Sequence, residues 1–311
     1  MLLTRRRTVL LTWVVLLTVS LLAVPSLAKT TIELWDPWNT QAIEAALAPF
    51  LAQDPDIEVN ITACGQGTNQ RDKFLTVLAA GLPPDIIIMV SPIADIILQG
   101  MLTPLDDMIA SSFVIKAQDY PPGMFDLFRV NGQTYGVPAI EVGPWMGLAI
   151  NADLMENAGL QATSPGSLEG LLTAHKKLTR FDNGQVTQLG FSPLDAMGDL
   201  YCADTWPIIF DQVLYDPVTN QISMDTLNMR SMLNYIRSFH ENITADELWA
   251  FHSRTIGWFN NSMNSGKLAL QINGYWTPGS AIGSGAAERN RYTYDWVPNG
   301  RGDKLMTMGG W

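Results

Sequence analysis

The sequence predicts an α/β protein built as two lobes, and three observations carry that prediction. At 311 residues the chain exceeds the size of about 250–300 residues at which a single core stops growing, and it fits two medium domains. From Thr30 to Gly100 short apolar strands alternate with amphipathic helices, the rhythm of a layered parallel sheet. Beyond Tyr120 strand and helix patterns are mixed again, with Gly and Pro between them.

Each element follows from its local pattern. Thr30 to Trp35 reads as a strand, and Gln41 to Gln53 sets Ile43, Leu47, Phe50 and Leu51 at helical spacing before Asp54-Pro55 breaks the run. Ile57, Val59 and Ile61 alternate with polar residues, giving a strand with one wet face. A helix over Asn69 to Ala80 ends at Gly81 and Pro83-Pro84. After Asp85 the run to Val90 is continuously apolar and reads as a central parallel strand buried on both faces, and Ile93 to Gln99 reads as a helix ended by Gly100.

In the second half, Val130 to Pro138 reads as a hairpin turning on Asn131-Gly132, Trp145 to Ile150 as a strand, and Asp153 to Ala158 as a short helix closed by Gly159. Ser167 caps a helix to Leu178, with Lys176, Lys177 and Arg180 near its negative C-terminal end. Thr226 to His240 is strongly helical, Phe259 to Asn264 reads as a short helix and Lys267 to Ile272 as a strand.

Composition excludes several classes of function. Hydrophobic residues make up 47% and charged ones 16%, which specifies a packed chain and not a disordered one. With 19 basic against 30 acidic residues the net charge is −11, so neither phosphate-neutralising nucleic-acid binding nor a polybasic membrane anchor fits. Two cysteines, Cys64 and Cys202, cannot build a disulfide scaffold, and their expected places in different lobes make free thiols the expectation. His175, His240 and His252 are too few and too scattered for a metal signature, so neither metal nor cofactor is expected.

The N-terminus reads as a secretory leader. Arg5, Arg6 and Arg7 precede an uncharged run from Thr8 to Val24, and small residues stand at Ser26 and Ala28, so residues 1–28 are expected to be cleaved off as a signal peptide. An uncleaved anchor is the alternative, but the run falls short of the roughly 20 apolar residues of a usual span. Cleavage removes three arginines and no acid, leaving a periplasmic or extracellular protein of net charge −14.

Several segments then resemble, in order, those of family 1 extracellular solute-binding proteins, the group that contains maltose-binding protein. Phe74 to Ile87 resembles the family's segment of helix, Ala-Ala-Gly and Pro-Asp-strand, and Gly100 to Asp107 resembles its Gly-x-Leu-x-Pro-Leu-Asp. Asn131-Gly132 through Pro138 is similar to its Gly-Lys-x-Tyr-Gly-x-Pro hairpin, and Asn151 to Leu160 to its Asn-x-x-Leu-x-x-x-Ala-Gly-Leu helix. Ser265 to Leu270 with Gly274-Tyr275-Trp276 resembles Ser-Gly-Lys-x-Ala-Met followed by Gly-x-Trp. Ile150 departs from the pattern, standing where the family usually has Tyr.

The resemblance implies the two-lobed periplasmic-binding-protein fold of the type II kind, with a ligand cleft between lobes that close on the ligand. It implies a monomer that delivers a sugar, oligosaccharide or polyol to the permease subunits of an ABC importer, with no catalysis. Lobe 1 is expected over 29–140, lobe 2 over 141–295, and 296–311 as a return strand to lobe 1, with further chain beyond Trp311 needed to complete both lobes.

Sugars offer polar edges and apolar faces, so their sites combine stacked aromatics with carboxylates and amides. Trp35 and Trp38, with Asp36 and Asn39, stand at the end of the first strand, where parallel α/β sheets hold ligands; Trp35 reads equally well as core. Ser91 sits at another strand end, where a helix cap explains it as well. Glu141 and Trp145 flank the expected crossing, and the resemblance gives Glu141 the role of sugar-hydroxyl acceptor, a solvated hinge charge being the alternative. Tyr201 and Trp206 resemble the family's aromatic segment in lobe 2. Trp276, in a loop after a buried strand, is the leading stacking candidate, and Trp311 after Gly309-Gly310 is another aromatic wall.

Two other readings share these features. A secreted glycoside hydrolase would need two carboxylates facing one bond; Glu141, Asp204 and Asp211 stand nearest the aromatic segments, and nothing marks a pair. A ligand-binding module of a sensory system would share the cleft and differ in its partner.

Overall fold

The structure, a computed structural model, describes residues 29–38, 40–65, 67–89, 94–138, 143–193, 205–216, 219, 221–253, 260–301 and 307–309. The expected leader and its cleavage site lie outside these residues. So do Cys202 and Asp204. Among the described residues no helix is long and apolar enough to cross a membrane. By internal contact the chain divides into two compact units, one running to Thr103 and the other from Pro104 to Gly310.

The first unit is built on three parallel strands. β1 (Thr30–Asp36) is followed by α1 (Thr40–Gln53), β2 (Ile57–Ala63), α2 (Gly67–Ala79), β3 (Ile86–Ile87) and α3 (Ala94–Leu98). The order is β2-β1-β3, with Trp35 in register with both Thr62 and Ile87. The alternating helices and strands of the sequence are recovered, but the expected central strand is not. β1 takes the middle, while β3 is two residues long and Ile86 is half exposed. An apolar run alone does not say which strand gains neighbours on both sides; that depends on where the crossovers land. Trp35, Cys64, Phe74 and Ile96 form the core of this unit.

The second unit opens with a segment that closes on itself. It holds α4 (Asp106–Ser111), two 3-10 turns at Ala117–Asp119 and Phe125–Phe128, and the hairpin of β4 (Arg129–Val130) and β5 (Gln133–Thr134). The Asn131-Gly132 turn has φ of 51° and 82°, the left-handed pair of a type I′ turn. Thr134 ties the hairpin to α4, its amide donating to the Asp106 carboxylate (3.0 Å) and its carbonyl accepting from Leu105 N–H (2.8 Å). The same amide bond holds the Asp106 carboxyl below its ordinary range. These mutual bonds make 104–138 a local module, and the boundary between compact units falls at Thr103, ahead of the expected 140.

The remainder of the unit is a six-stranded sheet of order β12-β6-β11-β8-β7, with β13 also paired to β6. Its elements in chain order are β6 (Gly143–Asn151), α5 (Ala152–Asn157), α6 (Leu168–Leu178), β7 (Arg180–Asp182), β8 (Gln185–Ser192), α7 (Thr205–Ile209), a small hairpin of β9 (Tyr215–Asp216) and β10 (Gln221–Ile222), α8 (Leu227–Ser238), α9 (Ala245–Ser253), β11 (Leu268–Gly274), α10 (Thr277–Gly283), β12 (Tyr292–Asp295) and β13 (Thr307–Gly309). The expected cap is made, Ser167 Oγ accepting from Gly170 N–H (3.0 Å), and Thr226, expected within its helix, caps it instead, Oγ1 accepting from Met229 N–H (3.1 Å). Asn151 caps α5 in the same way, its Oδ1 accepting from Leu154 N–H (3.1 Å).

Two apolar clusters pack around this sheet. Leu148, Ile150, Phe191 and Leu270 pack against Met155, Leu171, Leu178, Met229 and Phe239. A second cluster joins Ala149, Leu189 and Leu268 to Leu248, Phe251 and Met263. Of the expected return strand over 296–311, residues 302–306 and 310–311 lie outside the described residues. β6 is nine residues long; β12 pairs with it over 148–151 and β13 over 143–146, so the last described strand stays in the second sheet.

Candidate functional site

In the first unit the candidate surface is the carboxyl edge of the parallel sheet, where strand ends leave backbone groups for loops and ligands. Backbone hydrogen bonds set the edge: Cys64 N–H donates to the Asp36 carbonyl (2.9 Å) and Ile88 N–H to the Trp35 carbonyl (3.0 Å). Gln70, buried in the first turn of α2, donates to the Ile88 carbonyl (2.5 Å) and to Cys64 Sγ (3.3 Å). Burial pushes the Cys64 thiol up, so it is an inert free cysteine.

Lys73 reaches the same edge from α2. Its Nζ donates to the Ala63 carbonyl (2.9 Å) and stands 4.9 Å from the centroid of the Trp35 ring, a cation–π contact. Asp36 is buried, with Oδ1 accepting from Trp38 N–H (3.2 Å) while Oδ2 is buried without a hydrogen-bond partner. A buried acceptor of that kind suits a ligand hydroxyl or a water. Trp38, 37% exposed, stands beside it with its ring available to a ligand.

In the second unit the corresponding edge lies where β11 ends and β6 begins. Gly274 is in register with Met146, and Asn273 with Gly147. Met146 also pairs with Thr307 of β13, which brings a third strand to this end of the sheet. Trp276 follows β11 directly and precedes α10; its ring folds back over Gly274, where an added Cβ would lie 2.3 Å from ring carbons Cη2 and Cζ2. Tyr275 packs edge-on against it, centroids 5.3 Å apart, and is itself 39% exposed. Tyr294 of β12 lies over Gly147 in the same manner and donates its hydroxyl to the Asn273 carbonyl (2.5 Å). Glycine at 147 and at 274 is therefore a matter of space, giving each ring a flat seat on the strand.

The expected site residues divide accordingly. Trp38, exposed, and Trp276, half-buried, stand at strand ends, and the β6 backbone brings Trp145 to the same sheet end as Trp276, its side chain being outside the described residues. Trp35 and Trp206 are both buried. Trp35 packs with Phe74 and Ile96, offering Lys73 one face, and Trp206 is 2% exposed against Phe191 and Tyr235. Trp206 opens α7 as part of a Trp-Pro-Ile-Ile run whose apolar side is buried against α8, which an aromatic segment read from sequence does not reveal. Asn39, Ser91, Glu141, Tyr201 and Trp311 lie outside the described residues.

Lys73, in a segment polar enough to line a cleft but explained as well by helix-entry solvation, and Tyr275 were not among the expected site residues. Their signals were present: Lys73 follows a polar helix start beside a strand end, and Tyr275 adjoins the leading tryptophan. Asp211, an expected carboxylate of the hydrolase reading, is exposed and ion-paired with Arg301. Among the described residues no three His, Cys, Asp or Glu side chains gather as a metal site would need.

The sequence model of the bacterial extracellular solute-binding proteins matches residues 36–214, more than half of the chain. The chain belongs to this family. Its fold is shared with solved sugar-binding proteins of two-lobed α/β architecture. A structure of CpMnBP1 with mannotriose bound superposes with a TM-score of 0.73 at 23% identity, covering 89% of this solute-binding protein and 70% of that chain. The ABC substrate-binding protein Lmo0181 from Listeria monocytogenes, in complex with cycloalternan, gives 0.70 at 17% identity, covering 87% and 67%. The sugar-binding protein MalE from the phytopathogen Xanthomonas citri gives 0.70 at 20% identity, covering 90% and 69%. None of the curated proteins compared matches this solute-binding protein.

Proposed function

We propose that this solute-binding protein captures a neutral sugar or oligosaccharide outside the cytoplasm and hands it to the permease of an ABC importer, acting as a monomer without catalysis. The observation that carries the reading is the end of β11, where Trp276 and Tyr275 present aromatic surface beside the buried amide of Asn273. Ring faces against a sugar's apolar side and amides against its hydroxyls are what a neutral carbohydrate needs. Trp38 beside the open Oδ2 of Asp36 offers the same pairing of chemistries in the first unit. The family, and the sugars bound in structures that share the fold, support this class.

Delivery follows from binding alone: the ligand shifts a conformational equilibrium towards the form that the permease recognises, and no bond is made or broken. The N-terminal pattern supports export with removal of residues 1–28. Calorimetric titration of the full chain with mannotriose, maltotriose and cycloalternan tests the proposal. Saturable binding to at least one, with a tryptophan fluorescence change and no product by chromatography, is expected. Absence of binding to every neutral oligosaccharide and monosaccharide tried, or appearance of a hydrolysed product, would overturn it.

A further inference from the structure

The chain carries three Asn-x-Ser/Thr triplets: Asn60-Ile61-Thr62, Asn242-Ile243-Thr244 and Asn260-Asn261-Ser262. This triplet is the acceptor pattern for N-linked glycans, which are added to surface asparagines of exported proteins. Transfer asks three things of a folded acceptor: an amide that can be reached, a free hydroxyl two residues on, and extended backbone that a transferase can grip.

The structure separates the three triplets. Asn260 is exposed, but Ser262 is buried with its Oγ 3.2 Å from His252 Nδ1. Asn242 is exposed in the turn before α9, where the Thr244 hydroxyl is committed to the helix start. Its Oγ1 donates to Glu247 Oε2 (2.8 Å) and accepts from Glu247 N–H (3.2 Å).

Asn60 meets all three demands. It lies in β2, the edge strand beside β1, so among the described residues one side of its backbone is unpaired. Side chains alternate across a strand, which places Glu58, Asn60 and Thr62 on one face at intervals of about 6.6 Å. Glu58 and Asn60 are exposed and Thr62 is half-buried, and the Thr62 hydroxyl makes no hydrogen bond among the described residues. The Asn60 amide donates from Nδ2 to Glu33 Oε1 across the sheet (2.7 Å), an exposed bond that water can replace. Glu58 sets a negative charge two residues before the amide, a handle for a basic group of the transferase, whereas Asn242 and Asn260 have His240 and Trp258 at that place.

We propose that Asn60 is an acceptor site for an N-linked oligosaccharide, supplied as a lipid-diphosphate-linked donor. In the transfer Asn60 Nδ2 bonds to the anomeric carbon of the donor, and the bond from that carbon to the phosphate oxygen breaks. The lipid diphosphate leaves with the electron pair, and one amide proton passes to a base of the transferase. The product carries a bulky polar chain on the outer face of β2, where it shields an open strand edge from pairing with other chains. This attached glycan is separate from any sugar the protein transports; only the place where the donor is met rests on the proposed export.

The test takes the purified, folded full chain and incubates it with a detergent-solubilised bacterial oligosaccharyltransferase and a lipid-diphosphate-linked oligosaccharide. A Glu-x-Asn-x-Thr peptide is the positive control, and intact mass with peptide mapping is the readout. One glycan mass on the peptide that contains Asn60 is expected. Asn60→Gln is expected to abolish it, Thr62→Val and Glu58→Gln to slow it at least tenfold, and Asn242→Gln and Asn260→Gln to leave it unchanged. Thr62→Val keeps a β-branched residue in the strand and decides the matter should glutamine at 60 prevent folding. An unmodified chain beside a modified control peptide would overturn the proposal, as would a glycan that maps to Asn242 or Asn260 or persists in Asn60→Gln. None of these readouts needs the chain to bind a transported sugar, so failure of the proposed function and failure of this site are told apart.

Discussion

Ser192 and His252 meet at 2.9 Å between Oγ and Nε2 in the interior of the second unit, and Ser262 Oγ stands 3.2 Å from the other ring nitrogen. One strand residue away, His175 Nδ1 accepts from Phe191 N–H at 3.1 Å. Two neutral imidazoles thus grip consecutive residues of β8 from α6 and α9. Burial lowers both to about 4, and the positive charge of His240 acts on both in the same direction, as does that of Lys176 on His175.

The sign of the pH dependence follows. In the unfolded chain these rings protonate near their ordinary value of about 6.5, before the folded chain does, so their contribution is complete above that pH and is lost as pH falls through about 4. Each ring is worth on the order of 3 kcal/mol at one pKa unit per about 1.4 kcal/mol. Urea melts at pH 7 and pH 4.5 should show the second unit losing several kcal/mol, with amide exchange accelerating in β8 first. His252→Gln should flatten that slope by about one proton, and an unchanged slope would refute the assignment.

Gly190 and Gly279 should respond in opposite ways to alanine. A Cβ at 190 would lie 2.4 Å from the His175 carbonyl oxygen, backbone that cannot swing aside, so Gly190→Ala should cost about 2–3 kcal/mol. At Gly279, inside α10, an added Cβ meets nothing within 4 Å and φ is not left-handed, so alanine should stabilise by about 0.5–1 kcal/mol. Chemical denaturation of the two variants decides the matter; equal effects would contradict the packing described.

Helix caps should outweigh surface ion pairs. Thr226 Oγ1 caps α8 and also donates to Gln212 Oε1, so Thr226→Ala should cost about 1–2 kcal/mol. Asp225→Ala next to it removes only the exposed pair with Arg230 and should change stability by less than about 0.5 kcal/mol. Thermal melts at low and high salt will separate these, since only the ion pair is screened.

Trp35 and Trp38 lie three residues apart and should report on different properties. Trp35→Ala empties a core position under the Lys73 ammonium and should destabilise the first unit by about 3–5 kcal/mol. Trp38→Ala, at an exposed ring, should change stability by less than about 1 kcal/mol and weaken oligosaccharide binding at least tenfold. Combined denaturation and titration measurements would show the two effects exchanged if the ring assignments were reversed.

Much of the fold was legible because local rules and tertiary packing agree. Asn131-Gly132 demands a left-handed turn wherever it occurs, Ser167 and Thr226 mark helix starts by offering an oxygen to orphan amides, and the periodicity of Leu171, Ala174 and Leu178 points one face inward. The apolar run at Ile86 was misleading for the same reason that these signals are good: hydrophobicity states a need for burial without naming the neighbours. Trp206 shows the limit at the site, since an indole next to a proline and two isoleucines reads alike whether it lines a core or a ligand.

By itself, then, the sequence determined the α/β class, the export pattern, the motif order of a solute-binding protein and the strand ends at which Trp38 and Trp276 stand. Tertiary structure alone decided that β1 is central, that β13 stays on β6, that Trp35 and Trp206 are core, and that Gly274 and Gly147 seat aromatic rings. The physical reason is one of range. Caps, turns and periodicity are settled within a few residues of chain, whereas strand neighbours and ring seats depend on groups more than a hundred residues apart, such as Met146 and Gly274, meeting across a sheet.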